Sequence, residues 1–219
     1  MKTPIVIAVD GTAACGKGTL ARLLARHYGF AHLDSGALYR LVALAVLESG
    51  GDPANRSDAA RAARAIDHSR AGDHKIRGDV VGKAASVVAA FPEVREALLA
   101  YQRNFAVHPP GGAKGAVIDG RDIGTVIVPR ATVKLFVDAR PEVRASRRRL
   151  ELEGFGIVRE ESEVRTELVA RDAADRSRAV SPLRRAPDAL LLDTSDLDID
   201  AAFAAALALV DPIIRPSLT

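Results

Sequence analysis

A single cysteine, Cys15, leaves the chain no partner for an internal disulfide, so stability has to come from packing, and the expected compartment is the reducing cytoplasm. Aromatic residues are scarce, with no tryptophan and 4% Phe and Tyr among 219 residues. Few stacking platforms are therefore on offer to a nucleic acid. Long apolar runs are missing too: Ile5 to Val9 is cut off by Asp10, and Phe203 to Val210 is short and alanine-rich. Neither has the length of a membrane span or the build of a signal peptide. Charge of one sign is not in excess, since 31 Lys and Arg stand against 28 Asp and Glu. The pI of 9.2 rests on that difference of three, and the basic residues cluster at 144–149 and 165–185 among acids. Such a distribution suits a phosphorylated small molecule better than a polynucleotide or a membrane surface.

What the chain does have is a 48% hydrophobic content, enough to bury one sizeable core with a small insertion. Apolar strands alternate with helical periodicity from end to end, which predicts an α/β fold with a mostly parallel sheet flanked by helices. Strands are expected over 5–9, 31–34, 116–119, 133–137 and 189–192. Helices are expected over 16–28, 37–48, 58–66, 93–107, 141–152, 160–178 and 199–210, with Pro92 and Pro141 in tolerated first-turn positions. The polar, weakly patterned stretch 68–83 reads as an insertion or a mobile subdomain, and 108–112 as an exposed loop.

The strongest local signal is Gly11-Thr12-Ala13-Ala14-Cys15-Gly16-Lys17-Gly18-Thr19, which follows the first apolar run and leads into a helical repeat. Glycines at both ends let the backbone curl so that successive N–H groups and the helix N-terminus face an anion, while Lys17 adds a mobile charge. Gly18 follows the lysine where Ser or Thr commonly supplies a hydroxyl for Mg²⁺; Thr19 comes one residue later. Cys15 is either a reactive thiol or a small packed loop residue.

Three further constellations stand out. In Asp34-Ser35-Gly36-Ala37-Leu38-Tyr39-Arg40, Ser35 is a candidate helix cap or ligand contact, and Arg40 projects about a turn further on. Asp119-Gly120-Arg121-Asp122-Ile123-Gly124-Thr125 follows an apolar strand, so Arg121 and Asp122 form either a charged turn or a ligand contact at a strand's carboxyl end. Arg171, Asp175 and Arg178 are spaced four and three apart, which puts them on one helix face, either solvated and salt-bridged or turned to a ligand. Arg147, Arg148 and Arg149 form another basic run, with plain surface solubility as the alternative.

Taken in order, the loop ending GKGT, DSGALYR, AASVVAAFPEVR, DGRDIGT and RDAADRSRAVSPL resemble the bacterial cytidylate kinase family over nearly the whole chain. Adenylate kinases share GKGT but carry Thr-Gly-Asp and Asp-Gly-Phe-Pro-Arg stretches that this sequence lacks. The resemblance implies a P-loop nucleoside monophosphate kinase fold: a core at about 1–40 and 105–219, a CMP-binding insert at about 41–104 and a lid at about 147–180. It implies transfer of the ATP γ-phosphoryl group to CMP or dCMP, with Mg²⁺ accompanying ATP, in a chain expected to be a monomer. By the same resemblance Lys17 and the loop 11–19 hold the donor phosphates, and Arg147 and Arg148 belong to a mobile lid over ATP. Ser86, Arg95 and Asp122 face cytosine, Arg171 and Asp175 reach the sugar, and Arg40, Arg121 and Arg178 grip the acceptor phosphate, with Ser35 beside them. Lys17, Arg121, Arg147 and Arg178 are the catalytic set, and Asp10 and Thr19 order the Mg²⁺ shell through water.

Two departures from the family pattern are visible. The loop begins Gly-Thr instead of Gly-Pro, and the stretch between Ile66 and Ala84 is shorter than in many relatives. The chemistry needs no dedicated base, because a phosphate monoester with its second pKa near about 6 is mostly a dianion at neutral pH. Cytosine offers an amino donor beside N3 and O2 acceptors, which a carboxylate and a guanidinium, the types of Asp122 and Arg95, would match. The competing readings are a kinase for UMP or a non-nucleotide alcohol on the same core, and a nucleotide-binding switch without turnover.

Overall fold

The computed structural model of the chain describes residues 4–218. In chain order its main elements are β1 (Ile5–Gly11), α1 (Lys17–Tyr28), β2 (Ala31–Asp34), α2 (Ser35–Glu48), α3 (Arg56–Ala65), α4 (Asp79–Val88), α5 (Pro92–Val107), β3 (Gly115–Gly120), β4 (Val133–Asp138), α6 (Pro141–Glu153), α7 (Glu161–Ser177), β5 (Leu190–Asp193) and α8 (Ile199–Leu218). The chain divides into two compact units, one of residues up to Leu33 together with those from Ala106 onward, the other Asp34–Phe105.

The first unit carries a five-stranded sheet of order β2-β3-β1-β4-β5. The pairings of β1 with β3, β1 with β4 and β4 with β5 are parallel. Every residue of β1 is buried, as expected of a central parallel strand covered on both faces. Ile5, Ile7 and Val9 alternate onto one face. There they meet Leu20 and Leu24 of α1, Val133, Leu135 and Val137 of β4, and Ala206, Val210 and Ile214 of α8. Spacing of 206, 210 and 214 by four keeps those residues in one stripe. That stripe carries α8 through Pro212 and Pro216, beyond the expected end at Val210. The bonds lost at the prolines are outweighed by the burial of Val210 and Ile214.

The second unit is helical around its own core. Leu38, Val42 and Leu44 of α2 pack with Val81, Ala85 and Val88 of α4, Val94 and Leu98 of α5, and Ile76. α4 corrects the expectation that 68–83 lacks pattern. Its buried residues Val81, Ala84, Ala85 and Val88 are spaced three, one and three apart, as a helix requires, but alanines and the interior Gly82 give the stripe little contrast. Before it lie two short 3₁₀ turns, His68–Gly72 and His74–Arg77, capped by Asp67 and Asp73. The cap of α2 is Asp34, whose Oδ1 accepts from the Ala37 N–H at 3.1 Å; Ser35 is the first helical residue instead. Among the described residues no helix is long and apolar enough to cross a membrane.

Candidate active site

At the end of β1 a glycine is obligatory. A Cβ on Gly11 would sit 2.0 Å from the Val137 carbonyl oxygen of the neighbouring strand. Beyond it the chain turns through Ala14 at φ +59° and Gly16 at φ +88°, the residue that caps α1. A left-handed alanine costs about 1–2 kcal/mol, so outside contacts must hold it. Thr12 Oγ1 donates to Asp138 Oδ1 at 2.6 Å, the Ala13 N–H donates to Asp172 Oδ1 at 3.1 Å, and Thr194 Oγ1 donates to the Cys15 carbonyl at 3.0 Å. Cys15 is fully buried in the sheet core, which makes it a packed loop residue. Lys17 donates from Nζ to the Thr12 carbonyl at 3.0 Å. Burial of the ammonium, then the charge of Arg121, lowers its pKa to about 8, with Arg171 acting in the same sense and Asp119 opposing.

Next to the loop lies a cavity of ≈ 530 Å³, bordered by Cys15, Gly16, Leu20, Arg147, Thr194 and Ala202 among others. Arg147 is not a free surface cation: it donates to Thr194 Oγ1 at 3.0 Å and to the carbonyls of Thr194 and Leu197 at 2.7 and 3.1 Å. Arg148 also borders the cavity and donates to Glu151 at 2.8 Å.

Asp10 lies near the end of β1, immediately before Gly11. Its two oxygens accept the N–H groups of Ile123 and Gly124 at 2.8 and 2.7 Å, which anchors the π-helical turn Ile123–Ile127 that follows β3. Burial raises its pKa to about 6 against the lowering effect of those two bonds. Beside Gly18 stands the carboxylate of Asp119, which the sequence motif contained but did not single out. Asp119 pairs in register with Val9, its Oδ1 lies 2.8 Å from His32 Nε2, and its Oδ2 is 3.5 Å from where a Gly18 Cβ would stand. The Thr19 hydroxyl, which accepts from Arg22 at 3.2 Å, follows on the first turn of α1. Mg²⁺ retains several waters and takes one or two carboxylates plus substrate phosphates. The Asp119 carboxylate and the Thr19 hydroxyl, hard oxygen donors next to Gly18, fit that ion.

The third and fourth motifs converge. Arg121 Nε donates to Asp175 Oδ2 at 2.9 Å, and Arg178 pairs with Asp175 Oδ1. Arg178 does so from just outside α7, in non-helical backbone after Ser177, so one face of a continuous helix is not what joins 175 and 178. Arg171 lies on α7 one turn before Asp175, and Asp122 is buried at the head of the π-helical turn.

Within the second unit, Arg40 donates to the Ile76 carbonyl at 3.0 Å, with Gly82 close beside its guanidinium. Ser86 donates to the Gly82 carbonyl at 3.3 Å. Arg95 is 7% exposed, donates to the Ala89 carbonyl at 3.2 Å and stands 5.3 Å over the Tyr39 ring. Ser35 is buried at the start of α2.

A parallel sheet whose central strand runs into a glycine-bounded phosphate loop and helix, with arginines gathered at the strands' carboxyl ends, defines a P-loop phosphotransferase. Residues 7–211 match the cytidylate kinase family. The chain is 54% identical over 203 residues to a cytidylate kinase of Rhodospirillum rubrum, covering 93% of this chain and 95% of that protein. It is 52% identical over 209 residues to one of Nitrobacter winogradskyi, covering 95% and 97%. The crystal structure of a gluconokinase from Sinorhizobium meliloti is similar in fold alone, with a TM-score of 0.50 and 14% identity over 100% of this chain and 98% of that one. The chain belongs to the cytidylate kinase family.

Proposed function

We infer that the loop Gly11–Thr19 with Lys17 holds ATP and that Arg121 and Arg178 receive the phosphate of the acceptor nucleotide. The reaction is that of the family: the γ-phosphoryl group of ATP passes to CMP or dCMP, giving ADP and CDP or dCDP. One observation carries this reading. Asp119, two residues before Arg121, has its Oδ2 3.5 Å from where a Cβ of Gly18, the neighbour of Lys17, would stand, so the donor loop and the acceptor turn that carries Arg121 meet at one end of the sheet.

Each group has a task that its chemistry suits. The acceptor phosphate is already a dianion, so the chain has to bring two polyanions into line and neutralise charge on the transferring group. Lys17 and the loop N–H groups hold the donor phosphates, while Arg40, Arg121 and Arg178 bind the acceptor phosphate with planar forks. Asp175 holds Arg121 and Arg178 side by side and, with Arg171, binds the sugar. Asp122 accepts from the cytosine amino group, and Arg95 and Ser86 serve the base's acceptors. Arg147 and Arg148 close over ATP and exclude water from it. Mg²⁺, held through its waters by Asp119, Asp10 and the Thr19 hydroxyl, would supply positive charge to the β- and γ-phosphates when bound. The chain works as a monomer in the cytoplasm, the compartment that its lone buried thiol suits.

ADP release measured with CMP, dCMP, UMP and AMP as acceptors tests this. CMP and dCMP should be used well and UMP and AMP poorly. Preference for UMP or AMP would overturn the assignment of the base site.

A further inference from the structure

Ala13, in the middle of the phosphate loop, is held through both of its backbone polar groups by one buried ion pair. Its N–H donates to Asp172 Oδ1 at 3.1 Å, and its carbonyl accepts from Arg144 Nη1 at 3.0 Å. The same Arg144 nitrogen donates to Asp172 Oδ2 at 2.5 Å, while Arg144 Nε donates to the Ala139 carbonyl at 2.9 Å. Arg144 is 4% and Asp172 1% exposed. The Ala13 methyl packs with Ala145 and Leu152 of α6 and Val164 and Leu168 of α7, and Ala14 packs against that cluster. Two helices more than 130 positions away in sequence therefore grip the residue that precedes the left-handed Ala14.

A buried ion pair gives little net stability, because desolvation of both charges offsets their attraction, and apolar residues of similar volume often serve as well. What apolar residues cannot do is orient a peptide. Here the pair satisfies the N–H of the Thr12–Ala13 peptide and the carbonyl of the Ala13–Ala14 peptide at once, which sets both planes and with them the backbone angles of Ala13. The Ala13–Ala14 plane, held through its carbonyl, sets the direction in which the Ala14 N–H and those of the following residues point. The Ala13 N–H itself is committed to Asp172, away from any phosphate.

We propose that Arg144 and Asp172 are positioning residues for phosphoryl transfer, which lock the two peptides flanking the Ala13 Cα so that the later loop amides and Lys17 converge on the donor phosphates. The α6–α7 hairpin thereby sets the shape of the phosphate loop as well as supplying Arg147 and Arg148 to the neighbouring cavity. This rests on the reading of the loop as the ATP site. The acceptor nucleotide should be bound independently of the pair.

The test is steady-state kinetics and calorimetric ATP and CMP binding on Arg144→Met/Asp172→Leu and on Asp172→Asn, with near-ultraviolet circular dichroism to establish folding. In the double variant, which removes both charges together, ATP affinity and kcat should each fall by about tenfold or more, with CMP affinity within about twofold of wild type. Asp172→Asn keeps an acceptor for the Ala13 N–H but weakens the hold on Arg144, and it should show the same split to a smaller degree. It decides the matter if the double variant does not fold. Folded variants with wild-type ATP affinity and kcat, or with equal losses for ATP and CMP, would overturn the proposal. Failure of the underlying reading would look different, since wild-type protein would then not bind ATP at all.

Discussion

Arg121 and Asp175, 54 positions apart, meet at 2.9 Å, and Arg178 pairs with the other oxygen of the same carboxylate. Asp175 is 2% exposed, so a single buried anion holds two guanidiniums next to one another. Without it their like charges would push them apart.

Loss of that anion should be felt by the acceptor. Asp175→Asn should raise KM for CMP by about tenfold or more while KM for ATP changes by less than about threefold. Arg178→Ala should show the same bias, and Arg178→Lys should recover only part of the loss, because an ammonium cannot reproduce the planar fork. Equal effects on both substrates would remove these residues from the acceptor site.

Lys17 should impose a pH dependence on ATP use. Its pKa is lowered to about 8, so the cation that binds phosphate is present below that pH and is lost above it. In the free enzyme kcat/KM for ATP should fall roughly tenfold per unit on the alkaline side of about pH 8. Lys17→Ala should lower turnover by about 10²-fold or more with the fold intact, and Lys17→Arg should move the alkaline limb upward. A flat profile to about pH 9.5 would show that this shift does not govern binding.

Asp122→Asn probes base choice with almost no change in volume. The amide presents an N–H to uracil O4 and accepts more weakly from the cytosine amine. The CMP/UMP ratio of kcat/KM should narrow by about tenfold, equivalent to about 1.4 kcal/mol. An unchanged ratio in a folded variant would assign Asp122 to structure alone.

Gly11→Ala tests the fold instead of the chemistry. The new Cβ would lie 2.0 Å from the Val137 carbonyl, so β1 and β4 must separate locally. Overpacking of this kind costs about 1–3 kcal/mol or more, read as a fall of several degrees in Tm. A variant with wild-type Tm and activity would show that the strands relax freely.

Sequence patterning alone reached the strands, the phosphate loop and α1, because these depend on neighbours in the chain. An apolar run followed by a glycine-bounded loop and a helical repeat fixes its own local geometry. α4 was present in the spacing of Val81, Ala84, Ala85 and Val88, yet small side chains made it hard to distinguish from a polar insertion. α8 runs past the expected end at Val210 to Leu218 because Ile214 extends the buried stripe of Ala206 and Val210 through Pro212.

The motifs likewise marked Arg121, Asp122, Arg171, Asp175 and Arg178 as candidates without saying which would touch. Residue types and local spacing were thus determined by the sequence itself, since helix and strand periods and turn chemistry are short-range. That Arg121 and Arg178 share Asp175, that Asp10 holds a turn while Asp119 stands beside Gly18, and that Arg144 and Asp172 grip Ala13 were decided only by tertiary structure. Each of these joins residues dozens of positions apart, and which buried charges meet depends on how the sheet and helices pack, a long-range result that no local pattern encodes.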